Sequence, residues 1–389
     1  MQSRTINAEE RKRIRLAVFL FYFSMGLMFA SWASRIPDIK TRLGLSDAAL
    51  GSILLALPLA QMLMVTFSGK IVAKFSSKRV AIIALPLYSI CLSNIGLVQA
   101  GWQLAIALFL FGIAGNLCNI SVNTQGVMAE RLYDRPIMSS FHGSWSLAGF
   151  TGSLVGMLMI NLKIIPYFHF LIVIFLVWIV IYLNYKFLIG GKPSAGEEEP
   201  RRKFFNKPDQ ALVQLGIIGF CSMASEGAMF DWSGVYFKDV VQAPASLVVL
   251  GYSSFMIMMA SGRFLADKIT SKIGRKSLMQ ICGIMITAGF YTAILFPNVI
   301  TAAIGFMVVG LGVSSMIPSV YSAAGKHTGV TPSIAIATVA SISYFGFLMG
   351  PPLIGYISEA AGLKYSFAVI GVFGLGISFL VSRIRLLNN

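Results

Sequence analysis

The chain has 389 residues, of which 56% are hydrophobic and only 12% charged, with a mean hydropathy of +0.77. A water-soluble domain carries about 25% charged residues, so the composition excludes an ordinary soluble enzyme or binding module. The net charge of +16 does not point to nucleic acid either, because the basic residues fall in alternate loops between apolar runs.

Met1 to Arg15 is polar and basic, and the apolar run that follows is too long for the core of a cleaved signal. Twelve apolar runs cover residues 15–37, 47–69, 79–99, 102–129, 138–160, 164–188, 210–237, 244–266, 277–297, 299–323, 332–357 and 363–384. A run of about 20 residues, rising 1.5 Å each, crosses a hydrocarbon core of about 30 Å. Backbone groups in lipid must be satisfied within the segment, so each run is expected to be a helix. The polar stretch from Gly190 to Gln210 holds Lys192, Glu197 to Glu199, Pro200, Arg201, Arg202 and Lys203, and it divides the runs six and six. The expected organisation is an all-α membrane protein: a six-helix bundle over 1–189, a cytoplasmic linker over 190–209 and a second six-helix bundle over 210–389. Cys91, Cys118, Cys221 and Cys282 all lie inside apolar runs without metal-ligand spacing, so they read as small core residues and not as a disulfide framework. No metal or cofactor is expected.

With the N-terminus placed inside, 25 of the 31 basic residues fall on the inner side. Arg35, Lys40, Arg42, Lys163, Lys238 and Lys364 fall outside. This asymmetry puts both termini in the cytoplasm of a cell whose inner (plasma) membrane the chain crosses. The two halves also echo each other. Span 1 carries Gly26-Leu27-Met28-Phe29 with Trp32 beyond, and span 7 carries Gly227-Ala228-Met229-Phe230 with Trp232 beyond. Span 2 ends Ser68-Gly69-Lys70, and span 8 ends Ser261-Gly262-Arg263. Trp145 precedes Gly156 as Tyr344 precedes Gly355. Such internal repeats are typical of secondary transporters, whose solute site lies near the bilayer midplane.

After span 8 the sequence reads Gly262-Arg263-Phe264-Leu265-Ala266-Asp267, then Gly274-Arg275-Lys276; after span 2 it reads Gly69-Lys70-Ile71-Val72-Ala73, then Lys78-Arg79. This pattern resembles the loop signature of the major facilitator superfamily. Ala73 stands where the acid is expected, and the second-half loop is longer than usual. Within that superfamily, Glu226-Gly227-Ala228-Met229-Phe230-Asp231-Trp232-Ser233 is similar to bacterial fucose-permease-like carriers. The resemblance implies two pseudo-symmetric bundles, alternating access, spans 1, 4, 7 and 10 around a cavity, and spans 3, 6, 9 and 12 toward lipid. It also implies a cytoplasmic latch from Gly69, Lys78, Arg79, Gly262, Asp267, Gly274, Arg275 and Lys276.

The polar residues inside the spans carry the functional reading. A charged group at the bilayer centre costs roughly 2.5–3.5 kcal/mol on insertion scales, so Glu226 and Asp231 are retained for a partner, a cavity or a proton. Counted from Ala211, Glu226 falls in the outer half of its span, and Arg35 is its nearest candidate cation by depth. His142 is a third proton-coupling candidate. The bland alternatives are a structural ion pair for the acids, snorkelling to the interface for Arg35 and a hydrogen-bonded structural role for His142. Asn116, Asn119 and Asn123, spaced i, i+3, i+7, share one helix face; amides that donate and accept suit a hydroxyl-rich or zwitterionic solute. Interhelical hydrogen bonding is their alternative role. On span 10, Ser315, Ser319 and Ser322, spaced i, i+4, i+7 around Pro318, also share a face, and packing is their alternative role. Trp32, Trp145 and Trp232 could stack on a sugar or attract a cation. Trp102 and His169 read as interfacial.

The expected function is a secondary active transporter for a small polar solute such as a sugar, coupled to protons or another ion and acting as a monomer in the bilayer. A proton-driven drug or metabolite exporter is the alternative. A membrane enzyme would need a nucleophile, a His/Asp cluster or metal spacing. A sensor would add a soluble domain, and the linker is too short for one. No phosphate loop of a primary pump is present in the sequence.

Overall fold

Backbone groups that cannot reach water must pair within their own segment, and every regular element among the described residues is helical. The computed structural model describes residues 7–133, 137–190, 209–326 and 332–384; the side chains of Thr66, Ser139, Asp267 and residues 332–334 lie outside that description. Fourteen α-helices follow in order: α1 (Ala8–Arg42), α2 (Asp47–Leu54), α3 (Ala56–Phe75), α4 (Ser77–Leu97), α5 (Gly101–Glu130), α6 (Met138–Asn161) and α7 (Pro166–Asn184) in the first half, then α8 (Gln210–Asp239), α9 (Leu250–Ile273), α10 (Arg275–Leu295), α11 (Val299–Ser314), α12 (Met316–Gly325), α13 (Pro332–Ala361) and α14 (Leu363–Arg383) in the second. They make twelve segments long and apolar enough to cross a membrane, one for each span read from the sequence.

Two spans are broken in the middle, for the same reason. Pro58 follows the interruption at Leu55, and Pro318 follows the one at Ser315. Proline has no N–H to give the carbonyl four residues back and its ring crowds that carbonyl, so the ladder stops at Leu54 and at Ser314.

The signature loops are shorter than the sequence pattern suggests. Only Ser76, at φ 73°, separates α3 from α4, and only Gly274, at φ 80°, separates α9 from α10. The left-handed conformation favours glycine at the second turn; at the first, the Ser76 hydroxyl accepts from the Arg79 N–H at 3.5 Å. A longer loop after span 8 is therefore not found. Helix α9 runs on through Ile273, so Arg263 and Asp267 are helical residues.

The helices group into two compact units. One comprises Met1–Trp32, Ala56–Val155 and Lys163–Arg202; the other comprises Ala33–Leu55, Gly156–Leu162 and Lys203–Asn389. In the first, α5 packs on α3 and α4, and α4 packs on α7. In the second, α13 packs on α8 and α2, α10 on α14 and α11, and α11 on α9. Residues 33–55 group with the second unit because α2 and α13 meet backbone to backbone. A Cβ on Gly355 would lie 2.5 Å from the Asp47 carbonyl oxygen and 2.9 Å from Gly51 Cα.

Burial separates interior helices from peripheral ones. In the most apolar stretches of α1 and α8, 78% and 67% of residues are buried, against 33% in α7 and 39% in α14. Phe175, Trp178 and Tyr182 on α7, and Val372, Leu375 and Phe379 on α14, are large exposed apolar side chains, as lipid-facing helices require. Trp102 is exposed, whereas His169, in the first turn of α7, is fully buried, its ring 5.5 Å from that of Phe170.

Candidate functional site

Each unit holds a cluster of the polar residues that the sequence singles out. In the first unit, the Tyr22 hydroxyl on α1 donates to Asn123 Oδ1 on α5 at 2.8 Å. Asn123 Nδ2 in turn donates to Asn119 Oδ1 at 2.7 Å and to the Asn119 carbonyl at 2.8 Å. His142 on α6 meets the Tyr22 ring edge-on at 5.5 Å, and Phe141 stacks on that ring at 5.6 Å. Trp145, one turn along α6, lies 5.9 Å from Phe29. Asn119 and His142 are exposed, while Asn123 and Trp145 are half-buried. The close approach of α1 and α6 sets this geometry: a Cβ on Gly26 would lie 2.5 Å from the Trp145 carbonyl oxygen, and the Ser144 hydroxyl donates to the Phe19 carbonyl at 2.8 Å.

The three asparagines do not act as one face. Asn119 and Asn123 join the cluster, whereas Asn116 is buried with its Oδ1 unpartnered. Tyr22, which links α1 to these amides, was not evident from sequence, because a tyrosine in an apolar run looks like a core aromatic. Trp32 is buried outright and does not present an aromatic face to a solute.

In the second unit, Glu226 Oε1 on α8 lies 3.4 Å from Arg263 Nη2 on α9, with side-chain exposures of 14% and 28%. Helix α8 has 30 residues, about 45 Å at 1.5 Å per residue, so Glu226, sixteen residues after Gln210, sits about 24 Å along it, just beyond the midpoint. The expected partner, Arg35, pairs instead with Asp38 at 2.6 Å, a contact one helical turn away on the same helix. Arg263 was hidden from sequence reading because the loop signature assigns it to the cytoplasmic edge.

Tyr252 on α9 is buried with its hydroxyl unpartnered, within electrostatic reach of both Glu226 and Asp231. Tyr321 on α12 stands near Glu226. Asp231 is half-buried and has no Lys, Arg or His within ion-pair distance among the described residues. Ser222, one turn before Glu226, and Trp232 and Ser233 just beyond Asp231 are buried with unpartnered polar atoms. Most buried polar groups find a partner, so this cluster has unused hydrogen-bonding capacity.

The remaining candidates lie outside the charged cluster. Ser315 Oγ lies 3.3 Å from Cys282 Sγ, Ser319 is buried, and neither belongs to the charged cluster. Gly262 packs against Ser314, where any Cβ would collide, while Gly69 has open space beside it. Arg275 Nη2 donates to Ser322 Oγ at 2.9 Å, and Lys78 Nζ donates to the Lys186 carbonyl at 3.1 Å. Asp267, the acid of the expected latch, has its side chain outside the described residues.

The repeat seen in sequence is realised in packing. Gly26 and Phe29 meet α6 through Trp145; Gly227 and Phe230 meet α13 through Phe347, with Phe230 and Phe347 rings 6.3 Å apart. In that register Met25 corresponds to Glu226 and Lys70 to Arg263. Met25 is buried and Lys70 is exposed, so these two positions hold no such pair.

Comparison with known proteins agrees with this architecture. The Major Facilitator Superfamily profile matches residues 16–328 and 245–388. An uncharacterised MFS-type transporter of Yersinia pestis is 30% identical over 361 residues, 92% of each chain. The membrane protein MosC of Rhizobium meliloti is 29% identical over 373 residues, 95% of this chain and 90% of its own. The crystal structure of the nucleoside transporter NupG superposes with a TM-score of 0.79 at 14% identity, covering 96% of this chain and all of that one. The chain belongs to the Major Facilitator Superfamily and is a multi-pass membrane transporter of that family.

Proposed function

We propose that the protein moves a small polar solute by alternating access, driven by protons, and that the Glu226–Arg263 pair couples the two. The observation behind this reading is that the corresponding positions of the first half hold no such pair. The first half packs its equivalent helices with Met25 and Lys70, so the fold does not demand a charge pair there. A pair kept in mid-helix at a cost, without a structural need, is a functional candidate. A proton on Glu226 removes the carboxylate charge and frees the Arg263 guanidinium for another acceptor; loss of the proton restores the pair.

The solute side of the proposal rests on Tyr22, Asn119 and Asn123, which both donate and accept, with Trp145 nearby as an aromatic face. That chemistry suits a hydroxyl-rich solute such as a sugar. NupG, which shares the fold, is described as a nucleoside transporter, so nucleosides join sugars in the ligand panel. The alternative reading, export of a cationic solute, draws on Asp231: a half-buried carboxylate without a cationic partner, next to Trp232 and near Tyr252. The inner membrane and cytoplasmic termini form part of the proposal, supported by the basic asymmetry.

Reconstituted vesicles test the coupling once a solute is found by ligand stabilisation. Glu226→Gln should abolish proton-driven accumulation while leaving solute exchange intact. Normal accumulation by that variant under a proton gradient would reject the role. Loss of cationic-probe export in Asp231→Asn, with sugar uptake absent from the wild type, would favour the exporter.

A further inference from the structure

The first unit contains a basic pocket that neither polar cluster uses. A cavity of about 390 Å³ is lined by Lys74, Phe75, Ser76, Lys78, Arg79, Ile82 and Gly190. It lies where the turn between α3 and α4 meets the end of the α7 segment, and Lys78 holds the two together through the Lys186 carbonyl. Three of the lining side chains are cationic and none is acidic. Lys74, Lys78 and Arg79 have no carboxylate within 4.0 Å among the described residues. Lys78 spends one of its three ammonium hydrogens on Lys186 and keeps two.

Two of the lining side chains, Phe75 and Ile82, are apolar, and further exposed apolar side chains stand on α4 and α7. Ile83 and Leu87 continue along α4 from Ile82, and Tyr182, Leu183 and Tyr185 stand on the adjoining part of α7 and its last turn. Helices α4 and α7 pack on each other, and the Trp178 indole donates to Ser89 Oγ at 3.0 Å. A cationic mouth over an apolar wall matches one kind of molecule: an anionic head group with hydrocarbon tails. A free anion would use the mouth and leave the wall bare.

We propose that this pocket binds the phosphate of an anionic phospholipid, with Lys74, Lys78 and Arg79 around the phosphate and the acyl chains along α4 and α7. Arg79 supplies a planar fork that fits two phosphate oxygens, and the lysines supply point charges. Basic pockets between membrane helices on the cytoplasmic side hold such head groups. The proposal uses the cytoplasmic orientation inferred above, but its test does not, because a nanodisc offers the same lipid on both faces.

The full chain is placed in nanodiscs of phosphatidylcholine with one fifth phosphatidylglycerol, and retained lipid is read by native mass spectrometry. The wild type should hold phosphatidylglycerol in preference to phosphatidylcholine. Each Lys or Arg near an anionic surface adds about fivefold in affinity, so Lys74→Gln, Lys78→Gln and Arg79→Gln together should cost on the order of a hundredfold. The charge-keeping set Lys74→Arg, Lys78→Arg and Arg79→Lys should retain the lipid. If the neutral triple variant does not fold, Lys74→Gln alone, at an exposed site, should show about the single-residue loss. Unchanged phosphatidylglycerol retention in the neutral variants would overturn the site. So would equal loss in the charge-keeping set. Displacement of the lipid by soluble glycerol 3-phosphate at matched concentration would overturn the lipid assignment in favour of a free phosphate.

Discussion

At the scale of single residues, the acid–base pair in the second unit separates structural cost from functional use. Glu226 and Arg263 are mostly buried and 3.4 Å apart. Removing one member leaves the other charge in a poorly solvated place, which costs more than removing both. Arg263→Gln should therefore lower stability by about 1–3 kcal/mol, and the double variant with Glu226→Gln should recover much of that loss. Thermal unfolding of the four proteins of this cycle checks it; additive losses would show that the two side chains do not interact. The same cycle in vesicles separates the proton role, because the double variant should be stable yet uncoupled. Arg35 illustrates the limit of depth counting. Its height matched Glu226, but it pairs with Asp38, one turn away on its own helix, at 2.6 Å, and a local i,i+3 pair needs no tertiary placement.

At the scale of helices, small residues decide which elements can touch. A Cβ on Gly355 would press on the Asp47 carbonyl and on Gly51, whereas one on Gly227 would find its nearest atom, in Phe347, at 3.5 Å. Gly355→Val should push α13 off α2 and cost about 1–3 kcal/mol by overpacking. Gly227→Ala should be neutral or stabilising by a few tenths up to about 1 kcal/mol, since alanine restricts the unfolded chain and has the better helix propensity. Melting temperatures of the two variants in one detergent test the contrast. A melt of Gly355→Val equal to the wild type would mean that the α2–α13 contact relaxes freely. Near this contact Lys40 bridges Asp47 at 2.6 Å and Asp239 at 2.7 Å, and Ser358 donates to Asp47. The C-terminal end of α1 is thereby tied by charge within the second unit.

At the scale of the whole molecule, the basic asymmetry predicts how the chain is threaded. Cysteines introduced at Ser194 and Ser271 should escape an impermeant thiol reagent applied from outside, while one at Lys163, in an exposed turn at φ 56°, should react. Labelling of Ser194→Cys or Ser271→Cys in intact cells would reverse the orientation. The repeat extends across the whole chain as packing: Gly26 with α6 and Gly227 with α13. Chemistry does not follow the repeat. The amide cluster belongs to the first half and the charge pair to the second, so each half has kept the scaffold and specialised its polar residues.

Apolar run length was enough, without any coordinates, to read twelve helices. These features depend on local composition and on the energetics of burying backbone in lipid. The acids also stood out, because a charge in an apolar run is conspicuous on its own. Partners did not. Arg263 joins Glu226 because α9 carries it in mid-helix and lies against α8; Tyr22 joins Asn123 because Gly126 on α5 leaves room for its hydroxyl, which a Cβ there would approach to 3.2 Å. Asn116 and Asn123 share a spacing that suggests one role, yet one is buried and the other reaches Tyr22. Helical periodicity sets the angle at which a side chain leaves its own axis. Only the packing of neighbouring helices decides what stands in its way, and therefore which polar groups form a site.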